Sequence, residues 1–127
     1  MPLYKNLTAV QKKSVDTFYR DKVNLLLHTM IAVNTVRMDP DTAPADASRL
    51  DAKYADLQIR LGLVEKGMTD VYGNKLSISP PDQPTIDAIE ALSAQVDQLN
   101  QNQAVASATL ILADKVLASA TEVAKNV

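Results

Sequence analysis

His28 is the only histidine in a chain that contains no cysteine, so no second imidazole or thiolate exists to complete a metal site or a nucleophilic pair. It lies in the most apolar stretch of the first helical segment and reads as a hydrogen-bonded histidine at a helix interface, at most a pH-sensitive position. Asp39, Asp41 and Asp46 cluster in one loop and invite a calcium reading. A calcium loop of the EF-hand type needs ligands at alternate positions and a central glycine, whereas this loop holds Pro44 and no glycine, so turn and capping chemistry accounts for it. No Glu-x-x-His pair of the kind that builds helical di-iron sites occurs. Lys5, Lys12, Lys13 and Arg20 form a weak basic patch on an acidic protein (pI about 5.2), which reads as solvated surface and predicts no nucleic-acid partner. Asn6-Leu7-Thr8 matches a glycosylation sequon only by accident if no secretory signal precedes it. The expectation is a protein with no catalytic residues, no cofactor, no metal and no small-molecule substrate.

The elements that carry these residues are helical. Hydrophobic residues make up 46% of the 127 residues but aromatics only 4%, and glycine occurs three times, a balance that suits closely packed helices better than a sandwich. A first helix is predicted over 8–38, with Thr8 as its N-cap and Asp39-Pro40 as its stop. Val15, Phe18, Tyr19, Lys22, Leu25, Leu26, Thr29, Ala32, Val33 and Val36 form its apolar stripe, the lysine through its aliphatic stem. Val23, Leu27, Met30 and Ile31 widen that stripe, so the helix needs more than one neighbour. A second helix is predicted over 47–67, capped by Asp46 or Ser48 and stopped at Gly67. Leu50, Tyr54, Leu57, Leu61, Val64 and Met68 are its packing face in an antiparallel hairpin with the first. Gly62, inside it, suggests a close helix approach. Residues 69–84 read as a loop, in which Gly73-Asn74 between Val71-Tyr72 and Leu76-Ile78 allows a small β-hairpin near 70–78. The proline-rich spacer that follows serves either recognition or simple connection, with Asp82 or Thr85 capping the next helix.

From Pro84 onward the apolar residues keep a seven-residue rhythm. Ile89, Leu92, Val96, Leu99, Gln103, Ala106, Leu110, Ala113, Leu117, Ala120 and Ala124 form one seam, with Gln103 resembling the polar layers that fix register in coiled coils. A continuous third helix over 85–126 would span roughly 60 Å and outreach its partners, which predicts self-association through this seam. The alternative is a break in Gln-Asn-Gln-Asn-Gln near Asn102, giving a four-helix bundle. The expected fold is therefore a single all-α domain, a helical hairpin plus a long C-terminal coiled-coil helix, with the four-helix bundle as the other solution.

Net charge is −2 but unevenly spread: residues 1–38 carry +4, and residues 39–83 and 84–127 carry −3 each. Such a split favours complementarity within or between subunits. No apolar run approaches the roughly 18 residues that cross a bilayer, and the first residues lack the apolar core of a signal peptide, so a soluble protein, cytoplasmic or built into a particle or filament, is expected. Pro40, Asp41 and Pro44 between two amphipathic helices, over roughly residues 10–68, resemble the hairpin of type III secretion needle subunits, although the helical segment beyond residue 84 departs from that pattern. The functional expectation is a non-enzymatic structural or assembly protein, a homo-oligomer partnered by other protein subunits, such as a component of a virion or of a secretion-associated assembly. The alternative is a monomeric helical-bundle binding module, for instance an immunity protein, a chaperone or an inhibitor.

Overall fold

The computed structural model describes residues 2–102 and 105–125, with 120–125 described as backbone only. Four helices follow a short 3-10 turn at Tyr4–Asn6: α1 (Ala9–Arg37), α2 (Pro44–Tyr72), α3 (Gln83–Gln101) and α4 (Ala106–Lys125). Thr8 starts α1 through a reciprocal capping box, its hydroxyl accepting from the Gln11 amide at 3.1 Å while its own amide donates to the Gln11 side chain at 2.9 Å. The ten residues of the predicted α1 stripe are all buried. Of the four that widen it, Val23 and Met30 pack partly against the core whereas Leu27 and Ile31 remain exposed. Helix α1 meets α2, α3 and α4, which is how a stripe of that breadth is covered.

Helix α2 is longer at both ends than its sequence suggests. It opens on Pro44, whose fixed φ and missing N–H suit the first helical turn, and it runs through Gly67 to Tyr72, with Gly73 as its cap. Gly67 is buried within the helix and ends nothing: Leu57, Val64 and Val71 continue the inward face, and burial of Val71 outweighs the roughly 1 kcal/mol that a helical glycine costs. Gly62 does not mark a close approach either, since a methyl group added there would meet nothing within 4 Å.

The β-hairpin near 70–78 does not form. Residues 70–72 belong to the last turn of α2, and Asn74, with φ 58°, takes the left-handed conformation that turns the chain. The second arm pairs with the N-terminal segment instead, through a Leu3–Ser77 bridge and a bond from the Ile78 amide to the Pro2 carbonyl at 2.9 Å. A two-stranded hairpin alone is marginal, and a helical turn that buries Val71 competes with it successfully.

Nor is the C-terminal segment one continuous helix. Asp82 caps α3 through the amide and hydroxyl of Thr85 (2.9 and 2.6 Å), and α3 ends at Gln101, where Asn102 is extended (φ −100°, ψ 151°). Helix α4 then returns beside α1 and α2. The break lets Ile89 and Val96 on one arm, and Leu112, Ala113 and Val116 on the other, be buried in the same bundle. The run of glutamine and asparagine between them offers no apolar side chain to hold a straight helix against the hairpin. The result is a helical bundle of up-down-up-down course: Ser14 reaches the Pro81 carbonyl at one end, Asn100 reaches the His28 carbonyl near the other, and Lys53 pairs with Asp114 between α2 and α4. Among the described residues, no helix is long and apolar enough to cross a membrane.

Candidate functional site

Two places gather polar chemistry. The first lies at the start of α1, where the Tyr4 and Tyr72 hydroxyls both donate to Asp16 Oδ1, at 2.9 and 2.6 Å. Their rings meet edge to face at 4.7 Å, Tyr19 packs 6.0 Å from Tyr72, and the Lys12 ammonium lies 5.6 Å from the centre of the Tyr4 ring. Burial, then the bond to Asp16, raises the Tyr72 and Tyr4 phenols above their ordinary value of 10.0; burial alone pushes Tyr19 up to about 12. This cluster ties the N-terminal segment to α1 and to the end of α2. Replacing Asp16 with Asn is expected to cost about 1 kcal/mol of stability and to move the Tyr72 titration back toward lower pH; an unchanged alkaline absorbance titration at 295 nm would count against the pairing.

The second place is the elbow between α3 and α4. A cleft of about 810 Å³ opens there between the C-terminal half of α1, the end of α3 and the start of α4. Ile31, Ala32, Val36, Leu99 and Val105 give it an apolar lining, and His28, Asp39, Asp41 and Asp97 are its titratable members. A smaller groove of about 430 Å³ continues from it along the outer side of α3 and α4, past Gln95, Gln98, Ala108 and Ile111. Leu99, Asn102 and Val105 line both.

The residues singled out in the sequence fall as follows. His28 is exposed at the cleft, its Nδ1 3.6 Å from Asp97 Oδ1. Asp39 accepts from the Asp41 amide at 2.9 Å, and Asp46 pairs with Arg49 at 3.4 Å, so this loop is occupied with turn and helix-start chemistry. Among the described residues, no three acidic or histidine side chains come together as a metal-binding group. Arg20 bonds its neighbour Asp21 at 3.3 Å. Lys22 is fully buried, its ammonium donating to Ser119 Oγ at 3.1 Å.

On the packing face of α2, Leu50, Leu57 and Val64 are buried, and Tyr54, Leu61 and Met68 pack partly against the same core. The Arg37 guanidinium covers the Tyr54 ring at 4.4 Å and pairs with Asp51 at 3.2 Å. Of the C-terminal seam, Ile89, Val96 and Ala113 are buried inside this bundle, and Leu92, Leu99, Ala106, Leu110 and Leu117 pack against its core. Gln103 lies outside the described residues, and Ala120 and Ala124 are described as backbone only, within α4.

Sequence reasoning did not find the elbow cleft or the tyrosine cluster. The polar run around Asn102 is the one signal for the first, as a place where the seam loses its apolar members. The second joins Asp16 to Tyr72 across 56 residues and has no local signature.

The architecture is that of an all-α helical bundle with an open elbow. No family model matches the chain, and no match was found to a curated protein or to a solved structure.

Proposed function

We propose that this chain is a non-enzymatic assembly protein, a helical bundle that binds protein subunits and, first among them, copies of itself. The observation that carries this reading is the placing of its exposed apolar side chains. Ile31, Val105 and Ile111, each more than half exposed, surround the elbow, while Val10, Tyr72 and Leu76 are exposed near the opposite end of α1. Apolar surface grouped beside polar residues is the ordinary mark of a protein contact. A role as a subunit of a virion or of a secretion-associated assembly fits such a surface. The C-terminal half enters through its outer side, since its inward seam is used within the bundle.

Absolute mass by light scattering after size exclusion, over a range of concentrations, tests the proposal. A discrete oligomer, or mass that grows with concentration, supports it. A monomer at every concentration overturns it and leaves the second reading, a monomeric binding module of the immunity-protein, chaperone or inhibitor kind. The break at Asn102 favours that second reading, because it lets the seam be covered without a second copy.

A further inference from the structure

We propose that copies of this chain join head to tail, the lysine-bearing end of one bundle seating in the elbow cleft of the next. The inference rests on the self-association reading and adds its geometry. Asp39, Asp41 and Asp97 line the cleft together with exposed Ile31 and Val105, and among the described residues no lysine or arginine lines it. Asp39 and Asp41 make no ion pair among the described residues. The cleft therefore calls for an occupant that is both cationic and apolar.

The chain itself carries such a surface at the far end of α1. Lys5, Lys12 and Lys75 gather around the Asn74 turn: the Lys5 amide donates to the Asn74 side chain at 3.0 Å, Lys75 follows that turn, and Lys12 lies against the ring of Tyr4. None of the three makes an ion pair among the described residues. The nearby carboxylates are engaged elsewhere, Asp16 with two phenols and Asp70 with Lys66 at 3.3 Å. Tyr72, Leu76 and Val10 supply exposed apolar surface on the same end. Plug and socket thus match in both charge and apolar character.

They also sit at opposite ends of α1, whose 29 residues span about 43 Å. One copy cannot satisfy both of its own surfaces; a two-fold dimer satisfies both only by laying two bundles side by side and antiparallel, whereas end-to-end seating uses one plug and one socket per contact. A plug on one patch and a socket on another makes a heterologous contact, which propagates as a ring or an open chain.

Charge reversal tests the contact with the full chain. Asp39→Lys/Asp41→Lys reverses the socket, and Lys5→Glu/Lys75→Glu reverses the plug. Each variant alone is expected to associate at least about tenfold more weakly than the unaltered chain. An equimolar mixture is expected to regain the mass, because each plug then finds an opposite socket in alternation. If either variant alone keeps the unaltered concentration dependence, the head-to-tail contact is wrong while self-association stands; a monomeric unaltered chain removes both. A mixture that stays dissociated although both variants melt at the unaltered temperature also overturns the contact. Because the chain has no cysteine, a second measurement is independent of the reversed charges: a Lys75→Cys copy mixed with a Thr35→Cys copy is expected to form a mixed disulfide dimer on oxidation, and failure to cross-link counts against the proposal.

Discussion

Leu57→Ala is expected to lower the stability of the fold by about 3 kcal/mol, within the roughly 2–5 kcal/mol that a leucine truncation costs in a packed core. Leu57 is wholly buried, midway along the α2 face that also carries Leu50 and Val64, and α2 packs on both α1 and α4. The loss combines the transfer of the missing carbons with the void left between helices that close only partly around it. Two residues along, Ile59 is 61% exposed, and Ile59→Ala is expected to change stability by no more than about 0.5 kcal/mol. Urea unfolding measures both, with the midpoint moving at constant slope. A larger loss from Ile59→Ala than from Leu57→Ala would mean that α2 presents a different face to the core.

Alkaline pH is expected to unfold the protein through its buried phenols. Tyr19 is 1% exposed, and its hydroxyl finds no hydrogen-bond partner among the described residues, so burial pushes it from 10.0 to about 12. A group held above its unfolded value gives up its proton more readily in the unfolded chain. Its contribution is therefore complete below pH 10 and is lost as pH rises through about 12. Tyr4 and Tyr72, raised by burial and by Asp16, add to the same limb. Stability should hold level up to about pH 10 and fall above it. Tyr19→Phe removes a buried hydroxyl without a partner, and is expected to raise stability at neutral pH by about 1 kcal/mol and to make the alkaline limb shallower. Chemical unfolding at stepped pH reads both effects, and an identical limb in the variant would assign the alkaline transition to other groups.

Helix α1 was legible because it is long, capped and periodic: Thr8 opens it, Pro40 closes the register, and every residue of the stripe from Val15 to Val36 is buried. The ends of α2 were not, because Gly67 carries the same local signal whether it stops a helix or lies buried inside one. Only Val71, four residues on and covered by the rest of the bundle, decides between them. The elbow was legible only as the alternative, a break near Asn102 giving a four-helix bundle, and for a similar reason. A heptad seam reports that a face will be buried and is silent on whether another copy or the same chain covers it, and neither Gly nor Pro marks the reversal at Asn102. Turn chemistry around Asp39, Asp41 and Asp46 was readable from residue types alone. The elbow cleft was not, since His28 and Asp97 are adjacent only once α3 lies along α1.

The route of the chain bears on how the molecule reaches its folded state. Helices α1 and α2 meet across a short turn, whereas the bond from Ser14 to Pro81 closes 67 residues and that from Lys22 to Ser119 closes 97. Loop closure of that length costs more chain entropy than a local hairpin, so the expected order is the α1–α2 hairpin first, with the C-terminal arms condensing on it. Until they arrive, the sides of α1 that they cover stay open to solvent. During that interval the nascent chain carries its greatest hazard of joining a neighbour in the wrong way.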